Sequence, residues 1–349
     1  MTYRTALSAV LDSRGLLVAA LPFALVAFAC GGSQPEAAPP PPPPVEAPTA
    51  AAPTPPPAAA TTATAQAPAT PPEPTPPPTA WRITEGIQTP ESVLYDAAAD
   101  RYLVSNINGS TTDADNNGYI TEISGDGKVT KAKLVEGGAG KTKLDAPKGL
   151  GLVGNVLWVT DITVVRKFDA KTGAPKGDIP IKDATFLNDL SVAADGRVFV
   201  SDSGIKPGAN GSFDPTGTDA VYVIDKAGKV KPLAKNKELG GPNGVLSTDK
   251  GVLVGTFNGD ELYRLNAEGA KEEVTKIPTG GLDGLLQVGD SLLVTSWKGS
   301  AIYRGKLGGK FEPVIQGVKG PADIGYDTKR SRVLVPRFVD NAVEAYDLK

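Results

Sequence analysis

One pattern, written six times, constrains this chain more than any other feature. A polar residue and often a Gly open a short apolar run, a tight turn follows, and a second apolar run returns. Asn243-Gly-Val-Leu-Ser-Thr-Asp-Lys-Gly-Val-Leu-Val-Gly-Thr parallels Asp283-Gly-Leu-Leu-Gln-Val-Gly-Asp-Ser-Leu-Leu-Val-Thr-Ser. Lys148-Gly-Leu-Gly-Leu-Val-Gly-Asn-Val-Leu-Trp-Val-Thr-Asp repeats it again. Further copies start at Asn188, at Asp323 and, more loosely, at Glu91, so the starts lie 57, 40, 55, 40 and 40 residues apart. A third run such as Glu261-Leu-Tyr-Arg-Leu follows in each copy, and in most a fourth such as Lys229-Val-Lys-Pro-Leu. Asp-Gly, Asn-Gly and Gly-Gly turns separate the runs and no long helical period appears, which reads as all-β. Four strands in roughly 40–50 residues is one blade of a β-propeller.

The expected fold is therefore an all-β, six-bladed propeller over residues 81–349. The last copy ends with its third strand, Ala342-Val-Glu-Ala-Tyr-Asp-Leu, whereas a spare strand, Trp81-Arg-Ile-Thr-Glu-Gly-Ile, precedes the first. That N-terminal strand near residues 81–87 should complete the sixth blade and remove the open edge. Val159, Leu253, Leu293 and Leu334 are expected between blades. Tyr222, Tyr263, Tyr303 and Tyr346, together with Trp158 and Trp297, read as packing residues.

What precedes the repeats is of another kind. Of 32 prolines, 19 lie between Gly31 and Ala80, and no Lys or Arg stands between Arg14 and Arg82. Such a segment buries too little apolar surface to offset its chain entropy, so residues 30–80 read as an extended tether. Before it, Arg4 and Arg14 precede an apolar run from Leu16 to Ala29, short for a membrane span and suited to a signal peptide over residues 1–29. The run ends Val26-Ala27-Phe28-Ala29-Cys30, which resembles a bacterial lipoprotein signal cut before Cys30 and lipidated on its sulfur. The expected product is exported and held to a membrane, taken as the outer one, by a lipid on Cys30.

Composition narrows the chemistry. The chain has no His and one Cys, so no Ser-His-Asp triad, His zinc site, internal disulfide or four-Cys site can be built from it. A net charge of -3 and the lack of a Gly-rich strand-to-helix loop argue against nucleic-acid and nucleotide partners. The repeat starts, Glu91, Lys148, Asn188, Asn243, Asp283 and Asp323, should converge near one mouth of the axial channel. Their carboxylates and amides form an oxygen-rich set, the preference of a hard cation such as Ca²⁺, Mg²⁺ or Mn²⁺. Asp113-Ala-Asp115-Asn-Asn117-Gly118 imitates half of a calcium loop, but Ser124 occupies its twelfth position, so it reads as a polar hairpin loop.

The repeat region resembles the senescence-marker-protein/gluconolactonase/luciferin-regenerating family of six-bladed propellers. The resemblance rests on Pro90-Glu91-Ser92-Val93, Leu187-Asn188-Asp189-Leu190, Pro242-Asn243-Gly244 and Leu282-Asp283-Gly284. It implies a monomeric, metal-dependent hydrolase of lactones or small esters. Glu91, Asn243 and Asp283 would hold one divalent cation, Ca²⁺ first, with Mn²⁺, Mg²⁺ or Zn²⁺ as other occupants. Asp283 would double as general base, and Asn188, Lys148 and Asp323 would face the small-molecule substrate. Phe186 stands where the family's lactonases often carry a substrate-contacting Arg, which sets sugar-lactone specificity apart from the metal site. The alternative is a non-catalytic propeller, like the NHL-type repeats, that presents a rigid disc to partners.

Overall fold

A computed structural model describes residues 74–209 and 212–348. The expected signal peptide, Cys30 and the tether up to residue 73 lie outside the described residues. Residues 74–80 form exposed coil, and the Ala80 amide donates to the Ala345 carbonyl at 2.8 Å. Among the described residues no helix is long and apolar enough to cross a membrane.

Six four-stranded antiparallel sheets make the six blades. Their innermost strands are Pro90–Asp96, Pro147–Val153, Leu187–Val192, Pro242–Thr248, Leu282–Val288 and the short Gly325–Asp327. The sixth sheet closes as expected. Trp81–Ile83 pairs with Ala342–Asp347 as its outermost strand, aligning Trp81 with Ala345 and Ile83 with Val343. Ile83 and Val343 then pack with Val93, Tyr102 and Ile123 of blade one, so the ring is sealed by apolar burial as well as by the ladder. The long repeat spacings come from loops. Residues 107–118 form the polar loop of blade one, where the Asp115 carboxylate accepts from the Asn117 side chain at 2.5 Å. Blade three carries an inserted hairpin, Ile205–Pro207 with Phe213–Pro215.

The core lies between blades, because each sheet buries both faces against its neighbours. Leu103 and Ile120 of blade one meet Leu150, Val159 and Phe168 of blade two. Val159, Leu253, Leu293 and Leu334 are all buried, as are Tyr222, Tyr263, Tyr303 and Tyr346.

One local irregularity positions the site. In blade one, Pro90 pairs with Asn106 and Val93 with Val104, so Glu91 and Ser92 together oppose the single residue Ser105. That is a β-bulge, which bends the strand and re-aims its side chains. The same two-against-one step recurs at Lys148-Gly149, Asn188-Asp189, Asn243-Gly244 and Asp283-Gly284. A bulge leaves backbone groups unpaired, and hydroxyls opposite it supply the partners. Ser105 Oγ accepts from the Ser92 amide, and Ser201 Oγ accepts from the Asp189 amide and donates to the Asn243 carbonyl of the next blade. Thr295 Oγ1 likewise joins the Gly284 amide to the Ala322 carbonyl. Inner strands approach so closely here that a Cβ on Gly244 would lie 1.9 Å from the Asp283 carbonyl oxygen.

Gly244→Ala is therefore expected to force adjacent inner strands apart and cost about 1–3 kcal/mol, the usual range for overpacking. Urea denaturation measures it, and an unchanged midpoint would show that the contact is not tight.

Candidate metal and substrate site

The first residue of each bulge points into one mouth of the channel. Glu91, Lys148, Asn188, Asn243 and Asp283 line a single cavity of about 190 Å³, and all five are buried. Asp323 does not join them. Its backbone bridges to Ser92, and Pro321 pairs with Arg337 as Pro90 does with Asn106. The residue equivalent to Glu91 in blade six is thus Ala322, and Asp323 occupies the second bulge position with Ser92 and Asp189. A shift of one residue reverses the direction of a strand side chain. Asp323 accordingly faces a separate cavity of about 340 Å³ at the far end of the axis, which Ser92 and Asp189 also line. There Asp323 accepts from Ser92 Oγ at 2.5 Å, and Asp189 accepts from the Leu190 and Val245 amides.

Hydrogen bonding among the five mouth residues is incomplete in one consistent way. Glu91 Oε2, Asn188 Oδ1, Asn243 Oδ1 and Asp283 Oδ1 are buried and have no hydrogen-bond partner. Buried polar atoms are rarely left unpaired, and each costs about 1–3 kcal/mol if nothing meets it. The orientation of Asn188 is set by its neighbours. Ser203 Oγ donates to the Pro242 carbonyl at 2.7 Å and so accepts from Asn188 Nδ2 at 3.2 Å, which turns the amide oxygen to the cavity. Asp283 is fixed in the same manner, because Trp297 Nε1 donates to its Oδ2 at 2.8 Å and leaves Oδ1 free.

Four unpaired oxygens from two carboxylates and two amides are the donor set a hard cation takes. Among the described residues no three His, Cys, Asp or Glu side chains stand together as a ligand group. The set here carries only two carboxylates, and amide oxygens complete it. The residues present fit a divalent cation of the calcium or magnesium kind.

Charge strain supports the fit. Burial first, then repulsion from Asp323, pushes Asp283 up to about 8, against hydrogen bonds from Trp297 and Asn243. Burial, followed by Asp283 and Asp323, holds Glu91 well above the ordinary carboxylate range. Burial lowers Lys148 to about 8, opposed by the charges of Glu91 and Asp161. The Lys148 ammonium donates to the Ala146 carbonyl at 3.1 Å and sits 4.5 Å from the Phe186 ring centre. No ion pair joins it to a carboxylate among the described residues, so it retains donors for a ligand.

The walls were not legible as a site from the repeat starts alone. In five of the six blades the residue just after the second strand turns inward, and Ile107, Ser203, Phe257, Trp297 and Phe338 all line the pocket. Phe257 packs edge-on to Trp297 with centres 5.7 Å apart, and Trp297 lies 5.1 Å from Phe338. Across the mouth, Phe186 meets Phe213 of the inserted hairpin at 5.8 Å. Trp297, expected as a packing residue, is instead a wall of the pocket and the partner of Asp283. The repeat did carry the signal, since these residues share one phase, 14 to 16 positions after the first residue of each bulge. Trp158 keeps the expected packing role and lies against the core of blades two and three.

The fold has close relatives in shape. A gluconolactonase from Xanthomonas campestris superposes with a TM-score of 0.58 at 18% identity, covering 78% of this chain and 89% of that one. Virginiamycin B lyase from Staphylococcus aureus gives 0.52 at 15% identity, covering 77% and 99%. A chain of the nidogen/laminin complex gives 0.51 at 14% identity, covering 63% and 77%. This chain has the propeller fold of the gluconolactonases. At these identities the likeness is one of fold. No family model matches the sequence, and no curated protein matches it either.

Trp297→Phe removes the donor to Asp283 and should weaken calcium binding about tenfold, as losing the support of a metal ligand does. Calorimetric titration reads the change, and an unaltered affinity would show that Trp297 does not hold Asp283 for a cation.

Proposed function

We propose that the chain is a divalent-cation-dependent hydrolase of lactones or small esters. The observation that carries this reading is the group of four buried, unpaired oxygens facing one pocket. Glu91, Asn243 and Asp283 would hold the ion, with the Asn188 oxygen on the same wall. A bound cation supplies Lewis-acid polarisation of a carbonyl and acidifies water beside it.

The chain's own residues account for the rest. Asp283, with Oδ2 tied to Trp297, presents Oδ1 to take a proton from the attacking water. In the cation-free fold burial raises Asp283 to about 8; a cation beside it would lower this again and leave the ionised carboxylate that general-base work requires. Lys148 directs an N–H towards a substrate oxygen, and Asn188 fixes the approach of the carbonyl. Buried apolar walls exclude bulk water and strengthen these contacts. We further propose that the enzyme is exported and anchored through Cys30, with residues 30–80 as its tether.

Two other readings are weaker. A lyase reading has support in the likeness to virginiamycin B lyase. A catalytically inactive form of that lyase is made by replacing a His, however, and this chain has no His to play such a part. A purely protein-binding propeller, the role in which the nidogen/laminin chain appears, gives no reason for four unpaired oxygens inside a small cavity.

Proton linkage gives a test with a defined sign. In the cation-free fold, Asp283 is raised to about 8 and Asp323 to about 7, both above their usual 3.8. The folded chain therefore holds protons that the unfolded chain has released. Those contributions stabilise at low pH and are lost as pH rises from about 4 to about 8. Calcium competes with the Asp283 proton, so its stabilising effect grows over the same range. The rise in Tm on adding calcium should be larger at pH 8.5 than at pH 5.5; an equal rise at both would contradict binding through these carboxylates. Asp283→Ala should remove calcium binding and lower lactone turnover by at least about 10³-fold, with the circular dichroism spectrum unchanged. Lactone turnover at the unmodified rate in that variant would sink the assignment.

A further inference from the structure

The four oxygens form only the floor of the pocket. Above them the lining is almost wholly apolar, with Ile107, Phe186, Ile205, Phe257 and Phe338 as its walls and Phe213 at the rim. A cavity of about 190 Å³ holds roughly six waters at about 30 Å³ each. That is below the usual 300–1,000 Å³ of drug-sized pockets, so a ligand of one ring or two small fused rings fits.

Polar partners left for such a ligand are few. With Glu91, Asn188, Asn243 and Asp283 turned to the floor, the remaining polar lining side chains are Thr111, Lys148, Ser203 and Trp297. Ser203 Oγ is engaged between Asn188 and Pro242, and Trp297 Nε1 is given to Asp283. Only Lys148 and Thr111 have capacity to spare. A sugar lactone brings several hydroxyls, and most of them would be buried against aromatic faces without partners, which is strongly unfavourable. A flat apolar ring meets the opposite case, since Phe186, Phe257 and Phe338 offer faces and edges for stacking.

We infer that the substrate is a small lactone or ester with an apolar or aromatic body, its carbonyl seated at the four-oxygen floor and its ring between the aromatic walls, and that polyhydroxylated sugar lactones are excluded. The inference rests on the cation-binding reading above. 2-Coumaranone, a benzene ring fused to a five-membered lactone, is the probe of the favoured class, and gluconolactone is the probe of the excluded one.

The test uses the purified full chain. Calcium is titrated first by calorimetry, with no substrate present. The calcium-loaded protein is then titrated with oxindole, the lactam counterpart of coumaranone, and with gluconolactam, and turnover of the two lactones is followed by acid release. The expected result is measurable oxindole binding and a kcat/KM for coumaranone at least about 100-fold above that for gluconolactone, the discrimination that unpaired buried hydroxyls impose. Phe213→Ala, a change beside Phe186 and away from Trp297, should weaken oxindole binding several-fold while leaving the calcium titration unchanged. Failure to bind calcium would overturn the cation-dependent function, and the substrate class with it. Normal calcium binding with gluconolactone bound or turned over as well as its aromatic counterpart would overturn the substrate class alone. So would normal calcium binding with no affinity for oxindole.

Discussion

Everything at the mouth of this propeller depends on a two-residue bulge at the start of the inner strands. Without it, the strict alternation of a strand would send Glu91, Asn188, Asn243 and Asp283 to the faces of their sheets, between blades. With it, they turn together towards the axis. The bulge exposes backbone amides, and Ser105, Ser201 and Thr295 pair with them from the opposing strand. Two of these hydroxyls also reach the carbonyl of the next blade, so local repair of the bulge joins neighbouring blades at the level of the site. Rigid elements hold a binding constellation more closely than loops do. Here all five inward-facing residues are strand residues.

Chemistry then follows from what the bulge brings together and what it keeps apart. Two carboxylates and two amide oxygens converge without partners. Lys148 stays close enough to share the cavity yet forms no ion pair with them. Asp323 and Asp189 lie one position further along and drain into the opposite cavity, where backbone amides and Ser92 satisfy them. Burial first, and then Asp323 across the axis, keeps Glu91 and Asp283 protonated in the cation-free fold. The proposed function has a cation take the place of that proton.

The sequence carried the fold well because the repeat is periodic. Six copies, a spare strand at residues 81–87 and an unfinished last blade led directly to the closed ring. It carried the oxygen set for the same reason, through Pro-Asn-Gly and Asp-Gly at one phase. Asp323 was misplaced because Asp-Ile-Gly in blade six looks like Asp-Gly-Leu in blade five, and only the backbone pairing of Pro321 with Arg337 fixes the phase one residue earlier. Trp297 was read as packing because indoles usually pack, and nothing in one chain says that a residue after a second strand turns inward. Phe186 stands out in the sequence, but the aromatic residues that share its pocket, Phe213, Phe257 and Phe338, come from three other segments of the chain. An aromatic wall assembled across blades has no local signature.

The proposed function stands on Glu91, Asn243 and Asp283 holding one ion, with the Asn188 oxygen beside it. Anomalous scattering from crystals grown with calcium or manganese tests it most directly. The account predicts a single strong peak on the channel axis within about 2.3–2.6 Å of Glu91, Asn243 and Asp283 oxygens for calcium, with Asn188 facing it. A peak confined to the far cavity beside Asp189 and Asp323, or no peak at saturating metal, would contradict it.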